Sequence, residues 1–154
     1  MFQRPATFLV EAIHDRALNR DVSFILDSTL SNFTKAKDNI ERSLKKKRFV
    51  MIIFVYQEPD QAWRLVKARE IVEGRRVPET VFIEQFLQSQ CVVSQLKRYF
   101  GDKIDITFIE KNIDGINDKP HFNVTDIDAL FRKKYNRRTL ESIVGIAKNH
   151  EGGE

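Results

Sequence analysis

The sequence predicts an α/β fold in which a parallel sheet is covered by helices on both faces. Strongly apolar stretches with the length of strands occur at residues 22–26, 49–56 and 104–109. Segments with helical periodicity separate them, an alternation typical of parallel strands joined by crossover helices. The chain has 154 residues, 42% of them hydrophobic, which is enough for one domain with a substantial core.

Each strand has its own signal. Val22–Leu26 is a continuous apolar run, which favours a strand buried on both faces. Phe49–Tyr56 has eight apolar or aromatic residues in succession and is too apolar for an edge strand, so we predict a central one. Ile104–Ile109 alternates between polar and apolar residues and predicts a third strand.

The helices are predicted from apolar residues three and four positions apart. Gly74 is a natural end for the third helix and Pro78 a natural start for the fourth. The predicted spans are Phe8–Asn19, Phe33–Leu44, Gln61–Glu73, Glu79–Phe100 and Ile127 to about Ala147. We predict a single domain over residues 1–150 and a disordered tail over residues 151–154.

Composition excludes several classes of protein. The net charge of +4 is compatible with an anionic ligand but does not by itself indicate nucleic acid. The single Cys91 cannot form an internal disulfide, and no apolar run approaches the roughly 18 residues of a membrane span. Without a signal peptide pattern, these features favour the cytoplasm, and the three histidines show no metal-binding spacing.

Residues 69–78, here called the arginine-rich connection, carry the most informative charges. Arg69 lies one turn before the predicted helix end, and Arg75 and Arg76 follow Gly74. One interpretation is a solvated basic turn. The other is a mobile lid that closes on phosphates, since guanidinium groups offer fixed, bidentate donors to a migrating phosphoryl group.

The carboxyl ends of the predicted strands are a second candidate location for a functional site. Ligands of open α/β sheets bind beyond the carboxyl ends of the strands. Asp27, Ser28 and Thr29 follow the first strand there. Asp27 either caps the following turn or takes part in a phosphotransfer site, with Thr29 beside it. No G-x-x-x-x-G-K-[ST] phosphate loop occurs anywhere in the chain.

Taken together, these stretches resemble a known family. ALNRDVSFILDSTLSNF, FVMIIFVYQEPDQAWRLVKARE and GRRVPETVFIEQF resemble the later part of the zeta-toxin family of P-loop kinases. In that family a strand is followed by an acidic residue, a strand leads into a helix ending in arginine, and a short basic lid precedes the next helix. The resemblance covers roughly Phe8 to Ile109.

The resemblance implies a P-loop-kinase-like sheet and transfer of a γ-phosphoryl group from ATP or GTP, with Mg²⁺, to a UDP-activated amino sugar or related small acceptor. It also implies a place in a toxin–antitoxin system. By position, Arg69 and Arg75 resemble the family's phosphate-contacting lid arginines, and Asp27 its substrate-side acid. Arg76 is an additional cation without an assigned counterpart.

The departure from the family is the absence of its phosphate loop and catalytic aspartate. The resemblance implies that this fold is truncated at the N-terminus and lacks a strand between Val22–Leu26 and Phe49–Tyr56. Unpaired backbone groups there would cost about 1–3 kcal/mol each, so the sheet must rearrange or recruit a strand. A second polypeptide carrying the phosphate loop, or a second copy of the chain, is the expected partner.

Three functions therefore compete at the level of sequence. The first is a kinase fragment, inactive alone, that another chain completes. The second is a non-catalytic remnant or regulatory protein that keeps the fold. The third, the least favoured, is a nucleic-acid binder using Lys45–Arg48 and Arg132–Arg138, which lack interleaved aromatics other than Tyr135.

Overall fold

The structure is a computed structural model, and it describes residues 3–111, 119–131 and 133–151. Within these ranges it contains five α-helices and three β-strands. In chain order they are α1 (Gln3–Asn19), α2 (Phe33–Lys45), β1 (Met51–Tyr56), α3 (Pro59–Glu73), α4 (Glu79–Phe100), β2 (Asp105–Glu110), β3 (Lys119–His121) and α5 (Arg137–Glu151).

The strands form one sheet in the order β1-β2-β3. β1 and β2 are parallel, with a register that runs from Met51 opposite Asp105 to Tyr56 opposite Glu110. β3 is antiparallel to β2, with His121 opposite Phe108. The predicted α/β class, consistent with a P-loop-kinase-like fold, is confirmed, although the sheet is mixed rather than wholly parallel.

Aromatic side chains fill the core on one face of the sheet. Phe108 lies at the centre, with its ring centroid 6.1 Å from Phe54, 5.9 Å from Tyr56 and 5.7 Å from Phe131. Residues of α2 and α4 pack over this face. A second cluster joins α3, the start of α4 and α5, and Phe86 contacts both clusters.

The predicted first strand, Val22–Leu26, is wrong. This stretch is irregular and exposed, and Ile25 retains 96% of its accessible surface. The physical reason is the lack of a neighbour, because a strand is stable only when another strand satisfies its backbone groups. In the described part of the chain, β1 pairs with β2 alone.

The prediction of a strand within Phe49–Tyr56 is confirmed, but the prediction that this strand is central is wrong. β1 lies at an edge of the described sheet. Its even-numbered residues Phe54 and Tyr56 are buried, whereas Met51, Ile53 and Val55 remain about half exposed. Residues of α2 and α4 thus pack over the Phe54 face, and the Ile53 side of β1 stays partly exposed.

The last helix begins later than predicted. Ile127–Leu130 has helical spacing, but its residues form a short 3₁₀ turn, and α5 starts at Arg137 behind the cap residue Asn136. Asp126 accepts hydrogen bonds from the backbone of Asp128 and Ala129, which stabilises a turn instead of a helix start. Of the predicted disordered tail, Glu151 ends α5 and residues 152–154 lie outside the described residues.

Candidate functional site

The arginine-rich connection begins where α3 ends at a left-handed glycine. Gly74 has φ of 66° and donates its N–H to the carbonyl oxygen of Glu70, closing the helix. Residues 74–78 have no regular structure, and Pro78 precedes the first turn of α4. The sequence thus produces two rigid helices joined by a five-residue link, as the Gly and Pro positions predict.

All three arginines of this connection are exposed. The Nε of Arg76 lies 3.8 Å from Glu70, whose carboxylate also accepts a 2.7 Å hydrogen bond from Lys67. Among the described residues, no ion pair is found for Arg69 or Arg75. In the part of the chain that the structure describes, the guanidinium groups of Arg69 and Arg75 therefore have no carboxylate to displace before they bind an anion.

The loop that follows the apolar segment Val22–Leu26 holds the other predicted residues. Asp27 and Thr29 are exposed, and the hydroxyl of Thr29 is 2.9 Å from that of Ser31. Leu30 has φ of 50°, a left-handed conformation that turns the chain toward α2. Within the described residues, no hydrogen bond or ion pair joins this loop to the arginine-rich connection.

A third group lies at the carboxyl end of β1, and its contact between Glu58 and Tyr135 was not predicted from the sequence. The hydroxyl of Tyr135 donates to Glu58, which lies just before α3. The hydroxyl of Tyr56 is buried and has no hydrogen-bond partner in the described structure. Burial raises the pKa of both tyrosines, and the nearby Glu58 carboxylate adds to each shift. The only sequence signal was Glu58 itself, at a strand end.

Arg48 gives the basic cluster at the end of α2 a structural role. It donates hydrogen bonds to the carbonyl oxygens of Val22 and Ala17, and its guanidinium lies 5.2 Å from the ring centroid of Phe24. The other three members of the cluster, Lys45, Lys46 and Lys47, are exposed. Arg48 therefore anchors the apolar segment beside the start of β1 and is not available as a free cation.

The described residues suggest no metal centre of their own. They contain no group of three or more His, Cys, Asp or Glu side chains placed to hold a metal ion. This result concerns only sites in which the protein provides most of the metal ligands, because magnesium bound together with nucleotide phosphates needs only one or two protein carboxylates. Over the same ranges, no helix is both long enough and apolar enough to cross a membrane.

The zeta toxin family model matches residues 1–119 of the chain. The chain belongs to the zeta toxin family. The match includes α1 to α4, β1, β2, the arginine-rich connection and the Asp27 loop. No curated protein and no solved structure matches the chain.

Membership of the zeta toxin family makes this a kinase-like toxin domain, which accounts for the α/β fold. The match ends at residue 119, so Tyr135, Phe131 and α5 lie beyond it. The Tyr135–Glu58 hydrogen bond thus joins a segment outside the matched range to the carboxyl end of β1. The assignments of Asp27, Thr29, Arg69, Arg75 and Arg76 as site residues remain predictions.

Proposed function

We propose that this zeta toxin family chain is the lid-bearing part of an ATP-dependent phosphotransferase and needs a separate phosphate-loop polypeptide for activity. The γ-phosphoryl group would pass from ATP to a hydroxyl of a small UDP-amino-sugar acceptor. The bond from the γ-phosphorus to the oxygen of ADP breaks, a bond to the acceptor oxygen forms, and the acceptor proton leaves to a base. The reaction would take place in the cytoplasm.

The observation that carries this proposal is a pair of arginines, on either side of a glycine, for which the described part of the chain shows no ion pair. Arg69 stands one turn before the end of α3, and Arg75 follows Gly74. Rotation about the backbone of the five-residue link can bring Arg75 toward an anion without disturbing either helix. Such cations stabilise the charge that spreads over the phosphoryl oxygens during transfer.

ATP is the expected nucleotide, and Mg²⁺ would arrive with its phosphates. Arg69 and Arg75 are the residues suited to bind the phosphates, whereas Arg76 lies close to the carboxylate of Glu70. Asp27 and Thr29 have the donors and acceptors needed for the acceptor sugar. When bound, the magnesium ion neutralises charge on the phosphates.

The test is reconstitution from two polypeptides. The chain is mixed with the separately produced phosphate-loop half of a zeta toxin family kinase, ATP labelled at the γ-phosphate, magnesium and UDP-N-acetylglucosamine. We expect label in the sugar nucleotide only when both polypeptides are present. If no mixture transfers label, while the same half-protein is active with its own second half, the proposed function is wrong.

Arg75→Ala tests the lid in the same mixture. Loss of one phosphate contact should lower kcat/KM about 10- to 100-fold, because a charge-assisted hydrogen bond contributes about 1.5–3 kcal/mol. The melting temperature should not change, since the side chain is exposed and carries no ion pair in the described structure. Arg20→Ala, at another exposed arginine outside the connection, is the matched control.

One observation favours a different function. The 154 residues contain no G-x-x-x-x-G-K-[ST] motif, so a non-catalytic interaction protein that keeps the family fold is the alternative. It predicts no transfer in any mixture and no loss of partner binding in Arg75→Ala. The reconstitution therefore separates the two.

A further inference from the structure

His14 is a buried ionisable side chain that lies outside the candidate site. It is 6% exposed, and its Nε2 atom is buried without a hydrogen-bond partner in the described structure. Its ring packs edge to face against the ring of Phe24, with 4.8 Å between the centroids. A neutral imidazole can occupy such a place as an aromatic ring, but a charged one would need an acceptor for each N–H.

Phe24 connects His14 to the apolar segment. The guanidinium of Arg48 lies 5.2 Å from the centroid of the Phe24 ring, so Phe24 contacts an imidazole and a cation at once. Val22, two positions earlier, accepts a hydrogen bond from Arg48 and donates its own N–H to the carbonyl oxygen of Ala17 at 3.1 Å. In the described part of the chain, the segment pairs with no strand. Its position therefore depends on these side-chain and turn contacts near the end of α1.

Charged groups surround His14 from α1, from α2 and from the residues before β1. Arg42 of α2 and Arg48 place positive charge near the ring. The nearby carboxylates of α1 are paired with cations of α2: Asp15 with Arg42, and Glu11 with Lys35. The apolar segment itself contains no ionisable side chain. A proton on His14 would therefore join two arginines, while both of these carboxylates are already paired.

The charge state of His14 depends on whether its ring is buried. Burial lowers the pKa of His14, Arg42 and Arg48 lower it further, and Asp15 acts in the opposite direction. Because the pKa in the folded chain lies below the ordinary value, a ring that leaves its site takes up a proton more readily than the ring in place. Acidification must then favour the state in which the ring has left.

We infer that neutral His14 holds the apolar segment through its contact with Phe24, and that uptake of a proton by His14 releases the segment together with the Asp27 loop. The loop follows the segment directly, and at its other end Asn32 caps the first turn of α2. Release of the segment leaves the loop attached at α2 alone. Acidity thus controls how firmly Asp27 and Thr29 are held, and this inference does not rest on the proposed function.

Amide hydrogen exchange at Val22 measures the release, because this N–H is bonded to Ala17 only while the segment is in place. The ordinary histidine pKa is about 6.5, so the released fraction should rise about 10-fold between pH 7.5 and pH 5.5. The exchange rate of Val22 in the chain alone, divided by the rate of an unstructured amide at the same pH, should rise by the same factor. A rise of less than about two-fold overturns the inference.

Three variants assign the effect to His14 and Phe24. His14→Phe keeps an aromatic ring against Phe24 but takes up no proton, so the corrected exchange rate of Val22 should be equal at the two pH values. Phe24→Ala removes the contact and should raise that rate at least about 10-fold at pH 7.5. His121→Gln, at a histidine of β3, is the control and should keep the pH dependence of the unchanged chain. Dependence that persists in His14→Phe or disappears in His121→Gln overturns the inference, as does an unchanged rate in Phe24→Ala.

Exchange at Leu96 separates release of the segment from unfolding of the whole chain. Leu96 lies within α4 and is 0% exposed, so its amide exchanges only when the core opens. Val22 should be protected at least about 100-fold less than Leu96 at both pH values. Equal protection of the two amides would show that the segment leaves only on global unfolding, and this result would also overturn the inference.

Discussion

Replacing Phe131 by alanine should strongly destabilise the whole protein, although Phe131 lies beyond the part that matches the family. Its ring is 8% exposed and lies 5.9 Å from Phe54, 5.8 Å from Tyr56 and 5.7 Å from Phe108. Removing a buried phenylalanine typically costs about 3–5 kcal/mol, and domains of this size are stable by only about 5–15 kcal/mol.

The chain provides its own control for this prediction. Phe122 lies in the same C-terminal part and is 71% exposed, so Phe122→Ala should change the free energy of unfolding by less than about 0.5 kcal/mol. Comparing the two variants separates loss of core packing from loss of an aromatic residue.

Urea denaturation followed by two probes measures the difference. The single Trp63 is 2% exposed in the α3–α4–α5 cluster, so its fluorescence should shift to longer wavelength on unfolding. Far-ultraviolet circular dichroism reports the helices, and coincident transitions indicate a single domain. A cost below about 1 kcal/mol for Phe131→Ala, or a separate early transition, would refute the view that residues 119–151 belong to the same core.

Two further results are expected. Burial lowers the pKa of His14, and the positive charges of Arg42 and Arg48 lower it further, so the unfolded chain binds the proton more readily than the folded one. The free energy of unfolding should therefore fall as the pH drops below about 6.5. Urea titrations at several pH values should show this dependence in the unchanged chain and its loss in His14→Gln. Gly74→Ala should lower the free energy of unfolding by about 1 kcal/mol, because the backbone of Gly74 has φ of 66°. Gly145→Ala, within α5 and with open space around it, should raise the free energy of unfolding by a similar amount. Equal effects of the two changes in thermal melts would contradict the backbone argument.

Local rules accounted for much of this fold. Glu79–Phe100 has the predicted bounds because Pro78 and Gly101 mark its ends in the sequence itself. β1 and β2 form from short apolar runs, which are typical of buried strands. The form of the arginine-rich connection was predictable in the same way, since it depends on Gly74 and Pro78, whereas the role of its arginines stays a prediction.

The failures share a different physical cause. Val22–Leu26 has the composition of a strand, but composition cannot supply the neighbour that its backbone requires. Ile127–Leu130 shows helical spacing because Ile127 and Phe131 are core anchors on either side of a turn. Tyr135 and Glu58 are 77 positions apart and meet only through tertiary packing, so no local sequence pattern predicts their contact.

Helix α4 limits how far the arginines can travel. Its first turns pack into the α3–α4–α5 cluster through Phe82 and Ile83, and its last turns pack against the sheet through Leu96 and Phe100. A helix fixed at both ends cannot swing, so any closing movement is confined to residues 74–78 and to the end of α3. Four extended residues separate Arg75 from Glu79, so their Cα atoms lie at most roughly 14 Å apart. A phosphate group that Arg75 is to reach must therefore lie within that distance of Glu79 plus the length of the arginine side chain, which gives a docked partner a distance to satisfy.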